Sequence, residues 1–368
     1  MSMGDPLTIV KPPHGSDPTT GSIQWPADLP SEWVDNRSDL DAVTALFPMK
    51  ISGYLRSQIT SPDDPLGRQV IPHVQELQDI QQCEDPLAEE KQSPAAQVIH
   101  RYPHRVVFLV SNQCAVHCRF CMRKRRVSSC AALSRPQLDQ GLDYISKNAR
   151  IKEVILSGGD PLMLNDPELA GLLKRLHAIS HVQLLRIHTR VPVVLPQRVS
   201  PQLAAMVSDF QPIFINVHIN HPMELTSEAA TALAILADAG IALGSQTVLL
   251  KGVNDTPEVL AQLFETLLRL RVRPYYLHQL DRVPGTAHFQ VPIEKGLELM
   301  QGLRGRLSGM AIPHFAVDLP GGGGKVALTP ETIVEKGTHQ WRIKNWKGDI
   351  YTYPIDKTTD DLVPILEH

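Results

Sequence analysis

Residues 105–121 read RVVFLVSNQCAVHCRFC: an apolar run, Val106–Val110, followed by three cysteines, Cys114, Cys118 and Cys121. The run has the length of one buried strand. It opens a rhythm that lasts to about residue 280. Strands are expected at Val106–Ser111, Val154–Ser157, Leu184–His188, Ile213–His218, Ala242–Leu249 and Pro274–His278. Between them, helical patterns cover Gln137–Asn148, Glu168–Ile179, Pro201–Asp209, Glu228–Ala239 and Pro257–Leu270. Repeated strand–helix units imply a parallel sheet with helical crossovers. Six units fall short of the eight of a closed barrel, which leaves a partial barrel or a doubly wound open sheet. The polar residues favour the barrel. The cysteines follow the first strand, and Gly158, Gly159 and Asp160 follow the second. His188 and Arg190 end the third, and His218 and Asn220 close the fourth. Gln246 lies within the fifth, and His278 and Asp281 end the sixth. Barrel enzymes place their sites at the strands' C-terminal ends. The expected fold class is α/β, a partial (βα)6 barrel.

The triplet has C-x3-C-x2-C spacing. Three thiolates this close can converge on one inorganic centre, filling three of the four positions of a tetrahedral metal or a cubane cluster. A structural zinc would need a fourth ligand, and nearby only Cys130 or His117 could serve. His117 sits inside the motif, poorly placed to close the same tetrahedron. Structural zinc sites also usually come as two separated pairs. A cluster with one iron left open is the better reading. Cys83 and Cys130, the remaining two of five cysteines, read as free thiols, and an odd, clustered set does not form a disulfide framework.

Length and composition bound the rest. The 368 residues suit one large domain or two ordinary ones, and the formal net charge of −3 demands neither nucleic acid nor anionic lipid. No apolar run reaches membrane-spanning length, and Met1–Pro30 lacks a secretory pattern, so a cytoplasmic protein is expected. Residues 1–30 read as a poorly ordered arm. Leu40, Val43, Leu46 and Phe47, then Ile51, Leu55 and Ile59, show helical spacing. Three divisions follow: a helical N-terminal region over 1–100, the barrel over 101–316 and a C-terminal extension over 317–368. The extension holds Gly321–Gly324 with Lys325, and a hairpin, Trp341–Trp346 against Ile350–Tyr353, around Lys347-Gly348-Asp349. No Ser or Thr follows Lys325, so the loop is not a Walker motif. Read blindly it is a surface loop. Glycines before a lysine also suit a Schiff-base lysine on a mobile loop.

The C-x3-C-x2-C spacing resembles the radical S-adenosylmethionine (SAM) enzymes, and the resemblance narrows to the lysine 2,3-aminomutase family. It is carried by Cys114–Arg125, SGGDPL at 157–162, HTRVPVVLPQR at 188–198, NVHINHP at 216–222, HQLDRVPGTAHF at 278–289, Gln301–Gly305 and VDLPGGGGK at 317–325. It runs from about Asp63 to the C-terminus. It implies a partial barrel of the radical SAM type. It also implies three cofactors: a 4Fe-4S cluster on Cys114, Cys118 and Cys121, SAM on its open iron, and pyridoxal 5′-phosphate (PLP) on Lys325. Arg101, Tyr102 and Arg105 match the segment that holds the PLP phosphate. Gly158, Gly159 and Asp160 match the glycine-rich segment that contacts SAM, and His218 and Gln246 match further SAM contacts. Arg123 resembles the arginine that pairs with the substrate carboxylate. Asp281 and Asp318 match two aspartates that grip an ε-ammonium.

The resemblance therefore implies an isomerase that interconverts L-lysine and β-lysine through a 5′-deoxyadenosyl radical. An external one-electron reductant and a homo-oligomer are implied with it. Two alternatives remain in the same chemistry: a relative that supplies β-lysine for elongation factor P, and a 2,3-aminomutase for another amino acid such as glutamate. A non-catalytic zinc-binding module is the alternative of a different class. One departure stands out. Many relatives carry zinc-binding cysteines in the C-terminal extension, and this chain has none after Cys130.

Overall fold

The strand–helix rhythm builds one nine-stranded sheet. The computed structural model describes residues 21–34, 36–127, 133–337 and 339–354. The strands are β1 (Val98–Tyr102), β2 (Arg105–Ser111), β3 (Glu153–Gly158), β4 (Leu184–Thr189), β5 (Ile213–His218), β6 (Ala242–Leu249), β7 (Val272–Gln279), β8 (His314–Leu319) and β9 (Gly324–Ala327). They are hydrogen-bonded in sequence order. β2 to β8 run parallel, and β1 and β9 flank them antiparallel. A doubly wound sheet reverses its strand order at a switch point. This order never reverses, so the open-sheet alternative falls. The sheet curls into a nearly closed partial barrel, and across the remaining seam Tyr102 Oη on β1 accepts from Lys325 N on β9 at 2.7 Å.

The sheet continues past the six units read from the sequence. β8 adds a seventh parallel strand, and β9 folds back on it with Asp318 opposite Lys325. Residues 317–327, grouped by the sequence with the extension, thus belong to the large sheet. Side chains alternate along each strand. On β4, Leu185 and Ile187 join the outer core while Arg186 and His188 face the bore.

The crossover helices start where their caps dictate. Asn165 caps Asp166–His177 through a capping box with Glu168, and Thr256 caps Pro257–Arg269 with Pro257 in the first turn. Each such cap contributes roughly 1 kcal/mol. In Pro257–Arg269 the residues Leu260, Leu263, Phe264 and Leu267 form one buried stripe.

The N-terminal region is helical, with Arg37–Leu46, Gly53–Gln58 and Gly67–Val70. The expected arm over 1–30 is too long. Ile23 bridges Ile51, and Ile23 and Leu29 are buried because they extend the same apolar core. Residues 1–20 of that arm, Cys130 and residues 355–368 lie outside the described residues. The expected hairpin is β11 (Gln340–Lys344) against β12 (Ile350–Pro354), joined by β10 (Ile333–Lys336) in a separate three-stranded sheet. Among the described residues no helix is long and apolar enough to cross a membrane.

Candidate active site

A cavity of about 460 Å³ fills the bore. That volume suits small organic ligands. Polar side chains reach into it because alternate residues of successive strands point inward: Arg186 and His188 from β4, Asn216 and His218 from β5, Gln246 from β6, Tyr276 and His278 from β7. The polar residues placed at strand ends by the sequence thus line the bore as well as its mouth.

Cys114, Cys118 and Cys121 all line this cavity. Their loop is held from below by the N-terminal region. His117 N donates to Lys50 O at 2.8 Å, and Arg119 N donates to Gln69 O at 2.8 Å. Arg119 is 2% exposed and forms a two-point pair with the buried Glu76, at 2.8 and 2.7 Å. Burial and the neighbouring thiol push the Cys121 pKa up to about 11, and burial, first among several causes, holds Cys114 well above the usual range. These thiols therefore keep their protons until a metal takes the sulfur and displaces the proton to solvent. Among the described residues no three His, Cys, Asp or Glu side chains are placed to hold one metal ion. A centre of several irons reaches thiolates set wider apart than a single tetrahedral ion can.

Gly158 and Gly159 are needed by the loop itself. A Cβ on Gly158 would lie 2.3 Å from Ser111 O, and one on Gly159 would lie 2.4 Å from Gln113 O. Gly158 also has φ +125, which side chains rarely adopt. The backbone that approaches these glycines is that of the cysteine loop. Asp160 is buried and accepts from Thr189 Oγ1 at 2.7 Å, Arg190 N at 2.7 Å and Leu162 N at 3.0 Å. It ties the ends of β3 and β4 together.

Lys325 occupies the other side of the cavity. Its Nζ ion-pairs with Asp318 and lies 3.1 Å from His278 Nδ1. Burial, then the Lys325 charge, holds His278 neutral, well below its ordinary pKa. Arg101 Nη1 lies 3.6 Å from the same Asp318 carboxylate. Arg101 also donates to Gln92 Oε1 at 2.8 Å and Leu87 O at 3.0 Å. The Arg105 guanidinium stacks 4.4 Å from the Tyr102 ring centroid.

Arg123 reaches the cavity from just past the triplet. Glu89 grips its Nε at 3.0 Å and its Nη2 at 2.7 Å, and Nη1 donates to Ser157 Oγ at 3.3 Å. Asp281 lies near both charged groups. Burial, then the Asp318 carboxylate, pushes its pKa up to about 7, with Lys325 opposing. His218 stacks on Phe120 and is held neutral by burial and by Arg190, its pKa down at about 3. Its buried Nε2 has no hydrogen-bond partner in the structure. Gln246 lines the cavity beside it.

The residues expected from the sequence to hold cofactors and substrate therefore meet on one cavity, whereas the buried Asn220 donates to Gln69 Oε1 instead. Gln69, Glu76 and Glu89 are not singled out by the sequence, yet they are buried against the cysteine loop and its arginines. One signal points to Glu89: the acidic Glu84–Glu90 stretch complements the basic Arg123–Arg126 run. The residues fit the three ligands expected. The thiols form a soft donor set, Lys325 stands among partly buried charges, and His218 Nε2 is an orphaned polar atom of the kind a bound ligand satisfies.

A family model described as Radical SAM superfamily matches residues 108–264, and one described as Lysine-2,3-aminomutase matches residues 300–362. An L-lysine 2,3-aminomutase from Fusobacterium nucleatum is 44% identical over 309 residues, which cover 83% of this chain and 73% of that protein. Another from Methanococcus maripaludis is 43% identical over 322 residues, covering 86% and 74%. A glutamate 2,3-aminomutase from Clostridioides difficile is 41% identical over 317 residues, covering 85% and 75%. With its fold, its cysteine triplet and these relatives, the chain belongs to the lysine 2,3-aminomutase family of the radical SAM superfamily.

Proposed function

We propose that this chain is an L-lysine 2,3-aminomutase, moving the α-amino group of L-lysine to the β-carbon and back. One observation carries the reading: a single cavity unites three thiols, Lys325 and the Asp281/Asp318 pair. When bound, a 4Fe-4S cluster with SAM supplies a 5′-deoxyadenosyl radical, and PLP supplies a π system that spreads unpaired spin.

The chain's own residues do the rest. Cys114, Cys118 and Cys121 provide three thiolates and leave one iron open. His218 and Gln246 offer polar atoms to SAM, and Gly158, Gly159 and Asp160 hold the loop that presents it. Lys325 needs a neutral amine to attack a carbonyl, and the neutral His278, with Nδ1 3.1 Å from Nζ, can accept a hydrogen bond that orients it. Arg101, Tyr102 and Arg105 surround the position for a phosphate, where guanidinium groups and a phenol suit a dianion. Glu89 fixes one edge of Arg123, and Nη1, which gives one hydrogen to Ser157 Oγ, keeps a second for the substrate carboxylate. Asp281 and Asp318 offer two carboxylates to the substrate's ammonium, and that ammonium competes with Lys325 for Asp318. Val116, Phe120, Val248 and Leu280 give the cavity apolar walls that exclude water. The same reading carries an external one-electron donor, a cytoplasmic setting and a homo-oligomeric assembly, with no need of nucleic acid or membrane.

Anaerobic purification tests the reading. A brown, iron- and sulfide-containing protein is expected, with a borohydride-trapped PLP adduct at Lys325 that is absent in Lys325→Ala. Incubation of the reduced enzyme with lysine, arginine and glutamate is expected to yield β-lysine. Glutamate turnover without lysine turnover overturns the substrate assignment, and a colourless, zinc-loaded protein without adduct overturns the enzyme.

A further inference from the structure

Arg190 stands between the cysteine loop and a buried acid. Its Nη1 donates to Cys118 Sγ at 2.7 Å. Its Nη2 donates to Gln69 Oε1 at 2.6 Å and to Glu224 Oε2 at 2.9 Å. The other oxygen of Glu224 accepts from Asn220 N at 2.8 Å and His221 N at 2.9 Å. Arg190 is 7% exposed and Glu224 1%. The guanidinium also lies 5.5 Å from the Phe120 ring centroid. By contrast, Cys121 is met by a backbone N–H, that of Arg123, at 3.4 Å. Cys118 faces a full positive charge that no accessible pH removes. Close behind that charge stands a full negative one.

This geometry acts on electron transfer. A cluster on the triplet gains one negative charge when an external donor reduces it by one electron. A cation hydrogen-bonded to a ligand sulfur favours that added charge, and a nearby anion opposes it. We propose that the Arg190–Glu224 pair sets the reduction potential of the metal centre held by Cys118, with the guanidinium raising it and the carboxylate limiting the rise. The inference rests on the reading that the triplet carries an iron–sulfur cluster. Arg190 acts here as a positioning and tuning residue, through Cys118.

The test uses the reconstituted full-length holoenzyme under anaerobic conditions. Iron and sulfide content reports on the cluster itself. A redox titration followed by electron paramagnetic resonance reports the midpoint potential. Arg190→Gln is expected to shift the midpoint to more negative values, Glu224→Gln to less negative ones, and Arg190→Lys to restore part of the loss. The opposite signs are a signature that a purely structural role would not produce. Midpoints that stay put, or that move in the same direction in both variants while iron content is kept, overturn the proposal. Where Arg190→Gln fails to hold iron, the sign of the Glu224→Gln shift decides. A wild-type protein without iron overturns the cluster reading, and the proposal with it.

Discussion

The charge state of Asp281 gives the proposed substrate a pH signature. Burial, then Asp318, raises this carboxyl to about 7. Below that pH it is mostly protonated and offers little to a cation. A lysine ε-ammonium stays charged throughout, because its pKa is about 10.4. Binding the ammonium favours the ionised carboxylate and pulls the Asp281 pKa down. The sign follows: affinity falls as pH drops through 7. With a midpoint of about 7, the ionised fraction rises from about one-eleventh at about pH 6 to about ten-elevenths at about pH 8. Lysine binding is therefore expected to tighten about tenfold over that range, or about 1.4 kcal/mol. Norleucine shares the carboxylate, the α-amine and most of the chain but lacks the ε-charge. The ratio of lysine to norleucine affinity thus isolates the acid pair from every other titration in the site. Equilibrium binding to the holoenzyme is expected to show that ratio climbing about tenfold in wild type and staying flat in Asp281→Asn. Identical pH slopes for the two ligands, or a slope that survives in Asp281→Asn, would refute the argument.

Three further outcomes, one with its control, follow from packing. Arg119→Met leaves Glu76 buried with only Lys124 for charge partner, and is expected to cost about 3–5 kcal/mol in urea unfolding, with loss of iron. Gly159→Ala drives a Cβ to 2.4 Å from Gln113 O and is expected to destabilise by about 1–3 kcal/mol and lower iron content. Gly302→Ala, with nothing within 4 Å, is the control, and its melting temperature is expected to hold or rise. Tyr102→Phe removes the acceptor for Lys325 N across the seam, and is expected to cost about 1 kcal/mol by thermal unfolding and to weaken PLP retention.

The sheet between β2 and β7 was legible because local signals agreed there. Apolar runs marked the strands, and helical spacing placed the starts of Glu168–Ile179 and Pro257–Leu270 within two residues of the observed Asp166 and Pro257. β8 and β9 were not legible. Asp318 and the glycines interrupt the apolar pattern, and the pairing of Asp318 with Lys325 is set by tertiary register. The triplet announced a metal centre by spacing alone. Its supports did not announce themselves. Gln69 and Glu76 sit in a polar, helical stretch, and only the fold shows that they face Arg190 and Arg119. Gly158 and Gly159 suit close approach to bare backbone, and the chain's own loop, through Ser111 O and Gln113 O, is one partner that comes that near.

The seam also sets an order of events in folding. Tyr102 and Lys325 touch although 223 residues separate them. A chain that has paired only β2 to β6 already carries its three thiols yet has no Lys325 beside them. β9 pairs locally with β8, but its contact with β1 closes the longest loop in the sheet, and long-range closures are slow. Docking of β9 is then the step that turns a metal-binding scaffold into a catalyst. A ligand that grips both edges recognises only the finished fold and stabilises all of it by mass action. Hydrogen exchange with and without PLP is expected to show protection spreading from β9 across the seam into β1, so that the second cofactor acts as a clasp on the completed barrel.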